Sequence, residues 1–206
     1  MIALFLSAFV TLFVVIDPPG CAPIFASLTN AGDAVHRRAM ALRSTAVASA
    51  IMLVFALFGE DLLHMLGISL DAFRIAGGIM LFLIALEMVF EKRTQRRENR
   101  AAEVCQSVEH EDISIFPMAI PMIAGPGSIA TIMLLMSKSD GLIPSLVVLA
   151  ALIAVLFLTL LSLLAAGAIM RVLGPKLEAM ITRVLGVILA ALATQFVIDG
   201  LKASFA

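Results

Sequence analysis

The chain has 206 residues, 62% of them hydrophobic and only 14% charged, with a mean hydropathy of +1.10 and a net charge of −1. A water-soluble domain has no use for so much apolar surface, whereas apolar stretches of about 20 residues are transmembrane helix candidates. The basic residues form no stripe with aromatics between them, which sets nucleic acid aside as a partner.

Six apolar spans follow one another at about 3–28, 41–59, 71–90, 113–136, 142–170 and 178–200. The expected fold is therefore all-α, a polytopic membrane protein with one transmembrane domain over residues 1–206. The first span is apolar from Ile2, lacks a basic leader and is too long for a signal peptide, so it reads as a retained helix. It is interrupted by Ile16-Asp17-Pro18-Pro19-Gly20. Proline lacks an amide hydrogen, and the residue before it avoids the helical region, so Asp17-Pro18-Pro19 stops one helix. A second half-helix is expected to begin near Cys21, with Pro23 in its first turn.

The third span carries Asp71, Arg74, Gly77 and Gly78 near its start and Glu87 near its end. Arg74 is expected to snorkel beside Asp71, and the glycines to permit close helix packing. A solvated loop at 91–112 contains Cys105, which is not expected to form a disulfide with the membrane-embedded Cys21. The fourth span is weakened by Pro117 and Pro121 and broken at Ala124-Gly125-Pro126-Gly127-Ser128, where Ser128 is expected to cap the next half-helix. The fifth span is long enough to tilt or to extend past the membrane. In the sixth, Thr194 and Gln195 are candidates for a cavity wall or for helix–helix contacts, and Asp199 lies near the outer end.

The loops 29–43, 91–112 and 171–183 carry eleven Lys and Arg residues, against three on the opposite side (Arg74, Lys138 and Lys202). The positive-inside rule then puts both termini outside the cytoplasm, in the periplasm if the source is bacterial. The chain also repeats itself. Leu66-Gly67-Ile68-Ser69-Leu70-Asp71-Ala72 aligns with Leu173-Gly174-Pro175-Lys176-Leu177-Glu178-Ala179 at an offset of 107, as do the two breaks. Arg74 and Gly77 correspond to Arg183 and Gly186 after a two-residue insertion. Two halves of three spans each, about 1–90 and 113–206, must enter the membrane in opposite senses, as an inverted repeat with broken first and fourth helices.

Each half-helix start exposes amide hydrogens and partial positive charge, which favours a carboxylate. Asp17 adds a fixed negative charge that suits an ammonium group. Together they describe a small zwitterion, an amino acid. Asp17, Pro18, Pro19, Gly20, Cys21, Gly125, Pro126, Gly127, Ser128 and Thr131 are the candidate substrate-binding residues, with Thr194 and Gln195 second. The glycines leave little room for a large side chain.

Enzymatic chemistry is not expected. His36, His64 and His110 are read as loop residues, Asp17 lacks a second buried aspartate, and no metal-ligand cluster or phosphate-binding loop appears. No cofactor is implied beyond a coupling ion, H+ or Na+.

The chain resembles the MarC family of six-helix membrane proteins, most specifically in Asp17-Pro18-Pro19-Gly20, in Pro117, Pro121 and Gly125-Pro126-Gly127-Ser128, and around Arg74 and Gly77. The resemblance implies kinship with the SnatA/NAAT group of neutral amino-acid transporters and, more distantly, with LysE exporters. It further implies ion-gradient-driven movement of small neutral amino acids such as glycine and alanine across the inner membrane, with the two interrupted helices lining the substrate site. Export of another small metabolite and passive conduction are the competing expectations.

Overall fold

A computed structural model describes residues 1–29, 33–90, 114–139 and 141–205, and among them every regular element is helical. The expected loop at 91–112, with Cys105 and His110, lies outside the described residues. The elements are α1 (Ile2–Ile16), α2 (Pro18–Leu28), α3 (Ala34–Met65), α4 (Leu70–Val89), α5 (Ser114–Ile123), α6 (Pro126–Ser137), α7 (Leu142–Leu164) and α8 (Ala166–Ser204). Five spans are long and apolar enough to cross a membrane, one of them being α1 and α2 together, and α5 with α6 makes a sixth if that bent pair counts as one.

The helices outrun the apolar runs that announce them. Asp33 caps α3 by accepting a hydrogen bond from the His36 amide at 2.7 Å, so the helix begins seven residues before the expected span. Its 32 residues extend about 48 Å, well beyond the roughly 30 Å hydrocarbon layer. Two sequence expectations are corrected here. His36 and His64 lie in the first and last turns of α3 rather than in loops. The fifth span ends at Leu164, not at 170, and the backbone from Ala166 is already helical through the expected loop at 171–183. Apolar periodicity finds the part of a helix that meets lipid, whereas Ala, Arg, Lys and Glu continue the same helix into water.

Buried side chains gather in two clusters. The larger joins α1, α2, α3, α5, α6, α7 and the start of α8 around Leu12, Ile16, Phe25, Met52 and Leu152. The smaller joins α1, α4, α6 and α8 around Val15, Leu81, Met88, Leu134 and Ala193. The outward surface keeps large apolar residues such as Leu57, Phe58, Phe82, Phe157 and Val187, as lipid contact requires. Buried hydroxyls are satisfied within their own helices: Ser44, Thr45 and Thr159 donate to carbonyls four residues back at 2.7–2.9 Å.

The closest helix pair is α4 with α8. A Cβ at Gly78 would stand 2.8 Å from the Ala193 carbonyl oxygen and 3.0 Å from the Val197 amide nitrogen. Gly186 meets Met88 and the Ala85 carbonyl, and Gly200 meets Ile75 and the Asp71 carbonyl, all at 2.8–3.1 Å from the same imagined carbon. Residue numbers rise on one helix as they fall on the other, so the pair is antiparallel. With little hydrophobic drive between helices in lipid, such small-residue contacts supply close van der Waals packing. At the start of α4 the Arg74 guanidinium donates to Asp71 at 2.9 Å, the pairing expected from sequence.

Candidate functional site

The first break is built by one residue. Asp17 ends α1 and starts α2 in the left-handed conformation (φ 59°, ψ 64°), which aspartate tolerates better than most side chains. Its amide donates to the Phe13 carbonyl at 2.9 Å, closing α1. Its Oδ1 accepts from the Gly20 amide at 3.2 Å, and its carbonyl accepts from Cys21 at 3.1 Å. α2 therefore starts at Pro18, three residues earlier than expected, and Pro23 sits in its interior. Pro18 and Pro19 bring no amide hydrogens, and those of Gly20 and Cys21 are already engaged. The Ile16 carbonyl, stranded by the break, receives the Cys21 thiol at 3.6 Å.

This corrects one expectation. The start of α2 does not offer open donors to a ligand carboxylate, because Asp17 already accepts from the Gly20 and Cys21 amides. The geometry also explains Gly20. A Cβ at that position would meet the Asp17 carboxylate, with Cγ only 2.7 Å away. Gly20→Ala is expected to displace the carboxylate from its cap and cost about 1–2 kcal/mol, measured by thermal denaturation of the detergent-purified protein. Unchanged stability would show that the cap is dispensable.

The second break is different in kind. α5 is kinked rather than regularly wound, although the Ala124 amide still reaches back five residues to the Ala119 carbonyl at 2.9 Å. Phe116 (φ −126°, ψ 128°) and Ile120 (φ −124°, ψ 124°) are extended because each precedes a proline, and both Phe116–Pro117 and Ile120–Pro121 are cis. The chain then turns by 53° into α6. The N-cap is Gly125, and no side chain caps the helix, so Ser128 is its third residue rather than its cap. Gly125 lies against Pro121, whose carbonyl oxygen a Cβ would strike, and a serine or aspartate has no room there. Pro126 brings no amide hydrogen, so the Gly127 and Ser128 amides head α6 with no capping side chain. Thr131, fully buried, donates its hydroxyl to the Gly127 carbonyl at 2.7 Å.

The two breaks are neighbours. A Cβ at Gly127 would lie 3.6 Å from Val15 Cγ1, two residues before Asp17, and α1 packs on α6. Asp17, Pro18, Gly20, Cys21, Gly125, Gly127, Ser128 and Thr131 are all buried, Pro19 is half-buried and Pro126 is exposed. The bare face of Gly127 is filled by Ile84 and Leu81 of α4, so this glycine serves packing where the sequence suggested room for a ligand. Thr194 and Gln195 do not join the group. Both are exposed on α8, where Thr194 donates to the Ala190 carbonyl and Gln195 to Asp199, each within 2.8 Å. Asp199 in turn accepts from Lys138 at 2.7 Å, tying the end of α6 to α8.

A feature the sequence did not single out is a cleft of about 600 Å³ where α2, α3, α7 and α8 end together. Phe25, Thr29, Arg37, Arg38, Leu163 and Leu164 are among its walls. The adjacent arginines were the available signal, but their charge reads first as topology.

Residues 2–205 match the MarC family of integral membrane proteins. The chain belongs to the MarC family. Among its relatives, a UPF0056 membrane protein of Methanocaldococcus jannaschii is 37% identical over 198 residues, covering 96% of each chain. YvbG of Bacillus subtilis, another UPF0056 membrane protein, is 35% identical over 205 residues, covering 100% of this chain and 97% of its own. YhgN of Escherichia coli K12, a UPF0056 inner membrane protein, is 36% identical over 197 residues, covering 96% and 95%. No solved structure matches the chain. MarC-family membership accords with the apolar outer surface.

Proposed function

We propose that this MarC-family chain is a secondary transporter of small neutral amino acids, akin to the SnatA/NAAT group, working by alternating access and not an enzyme. One observation carries the reading: two interrupted helices lie side by side in the protein interior, one holding a buried carboxylate and the other opening on uncapped amides. Non-helical backbone at membrane depth is tolerated where protein or a lined cavity satisfies it, and a buried acid there is a functional site by default. In this reading the ligand carboxylate meets the Gly127 and Ser128 amides at the positive end of α6. Its ammonium meets Asp17, and Thr131 accepts a further hydrogen bond. The burial of these residues corresponds to an occluded conformation.

The packing supports an inverted repeat. The antiparallel pair α4 and α8 comprises the third helix of each half, and the contacts of α1 with α7 are mirrored by those of α5 with α3. One half rocking against the other would expose the breaks to each side in turn. The positive bias of the loops puts both termini in the periplasm of a bacterial inner membrane. A reporter fused after Ala206 is expected to read as outside the cytoplasm, and a cytoplasmic signal would overturn the orientation.

The function is tested by radiolabelled glycine and alanine in proteoliposomes. A carrier saturates and shows counterflow. Linear, counterflow-free flux would mean a channel, and binding of neither amino acid in a thermal-shift screen of the common amino acids would point to another exported metabolite.

A further inference from the structure

We infer that the cleft at the joint ends of α2, α3, α7 and α8 seats the phosphate headgroup of an anionic phospholipid. Its volume of about 600 Å³ is that of a small-molecule site. Its cationic wall is Arg37 and Arg38, both exposed within the first five residues of α3. Among the described residues neither arginine has an ion-pair partner, and no acidic residue lines the cleft. The nearest carboxylate in sequence, Asp33, is engaged with the His36 amide. The start of α8 also lines the cleft, through Ala166 and Gly167. Two guanidiniums in one cleft form an anion site, and guanidinium suits phosphate because it binds in bidentate fashion.

The remaining surface selects a lipid. The floor is apolar and buried, with Phe25 at 2% and Leu163 at 1% exposure. Leu164 stands at the rim, 45% exposed, at the very end of a membrane span. A headgroup at the arginines would leave its acyl chains to run down this apolar edge. Basic pockets between helix ends at the membrane surface hold such headgroups.

The test is thermal denaturation of the full chain in neutral detergent with phosphatidylglycerol, cardiolipin, phosphatidylcholine or inorganic phosphate. The anionic lipids are expected to raise the midpoint by on the order of 5 °C over phosphatidylcholine when well above their dissociation constant. The variant R37Q/R38Q should lose that shift, whereas R43Q, on the same helix outside the cleft, should keep it. An equal shift in R37Q/R38Q overturns the site, and a full shift from inorganic phosphate alone overturns the lipid as its occupant. If the double variant does not fold, R37Q and R38Q are compared singly by native mass spectrometry. Retention of anionic lipid equal to wild type in both would overturn the assignment.

Discussion

Asp17→Asn is expected to abolish amino-acid uptake while lowering stability by less than about 1 kcal/mol. Asparagine keeps the carbonyl oxygen that accepts from the Gly20 amide, and it adopts the left-handed conformation as readily as aspartate. The negative charge is lost, and one acceptor oxygen becomes an NH2 donor. Asp17→Ala is expected to behave differently, because it removes the cap and leaves a residue ill suited to a φ of 59°. Lost capping and left-handed strain together cost about 2–3 kcal/mol. The pair of variants separates the two duties of one side chain. Uptake at the wild-type rate in Asp17→Asn would reject a role for the carboxylate in holding an ammonium or a proton. Equal stability of the alanine variant would reject its role as architect of the break.

The second large effect concerns the seam between α4 and α8. Gly78→Val is expected to destabilise the protein by about 3 kcal/mol or more. Its new carbons would press on the Ala193 carbonyl and the Val197 amide, and backbone does not rotate away. Gly127→Ala provides the contrast. There the nearest atom is the Ile84 Cδ1 at the tip of a flexible side chain, 2.5 Å from the new carbon. A rotamer change relieves it, and the helix gains from losing a glycine, so the net change should stay within about 1 kcal/mol. Both are measured as detergent-phase melting midpoints. A reversed order, with Gly127→Ala the more damaging, would mean that the seam is not where the helices press hardest.

Much of this architecture is legible in the sequence, because lipid leaves few alternatives. Apolar runs mark the five membrane-length spans and the bent pair α5–α6, and Pro18-Pro19 and Gly125-Pro126-Gly127 mark both breaks. The pairing of Arg74 with Asp71 follows from their three-residue spacing on a helix. What escapes is detail that depends on which backbone group reaches which partner. Ser128 has the right chemistry for a cap, but the turn closes at Gly125, where Pro121 leaves no space for a side chain. Cys21 looks like a ligand contact, yet its thiol answers the carbonyl that Asp17 strands at Ile16. Gln195 is amide-bearing and apparently intramembrane, but Asp199 one turn later satisfies it on an exposed face. Helix ends are the other blind spot, since polar turns that continue a helix into water resemble loops. The cleft beside Arg37 and Arg38 is invisible for that reason, being made by four helix ends brought together only by the fold.

The glycine contacts of the α4–α8 and α3–α6 crossings differ in what they touch. Gly78 and Gly186 abut backbone of the facing helix, whereas Gly59 of α3 abuts only the side chain of Met133 on α6, which is long and unbranched. A mechanical division follows. The α4–α8 crossing has no slack, and in the rocking proposed above any sliding between the halves falls on surfaces cushioned by thioether chains. Stiffening that cushion, rather than loosening the crossing, is the direct way to lock the molecule in one posture.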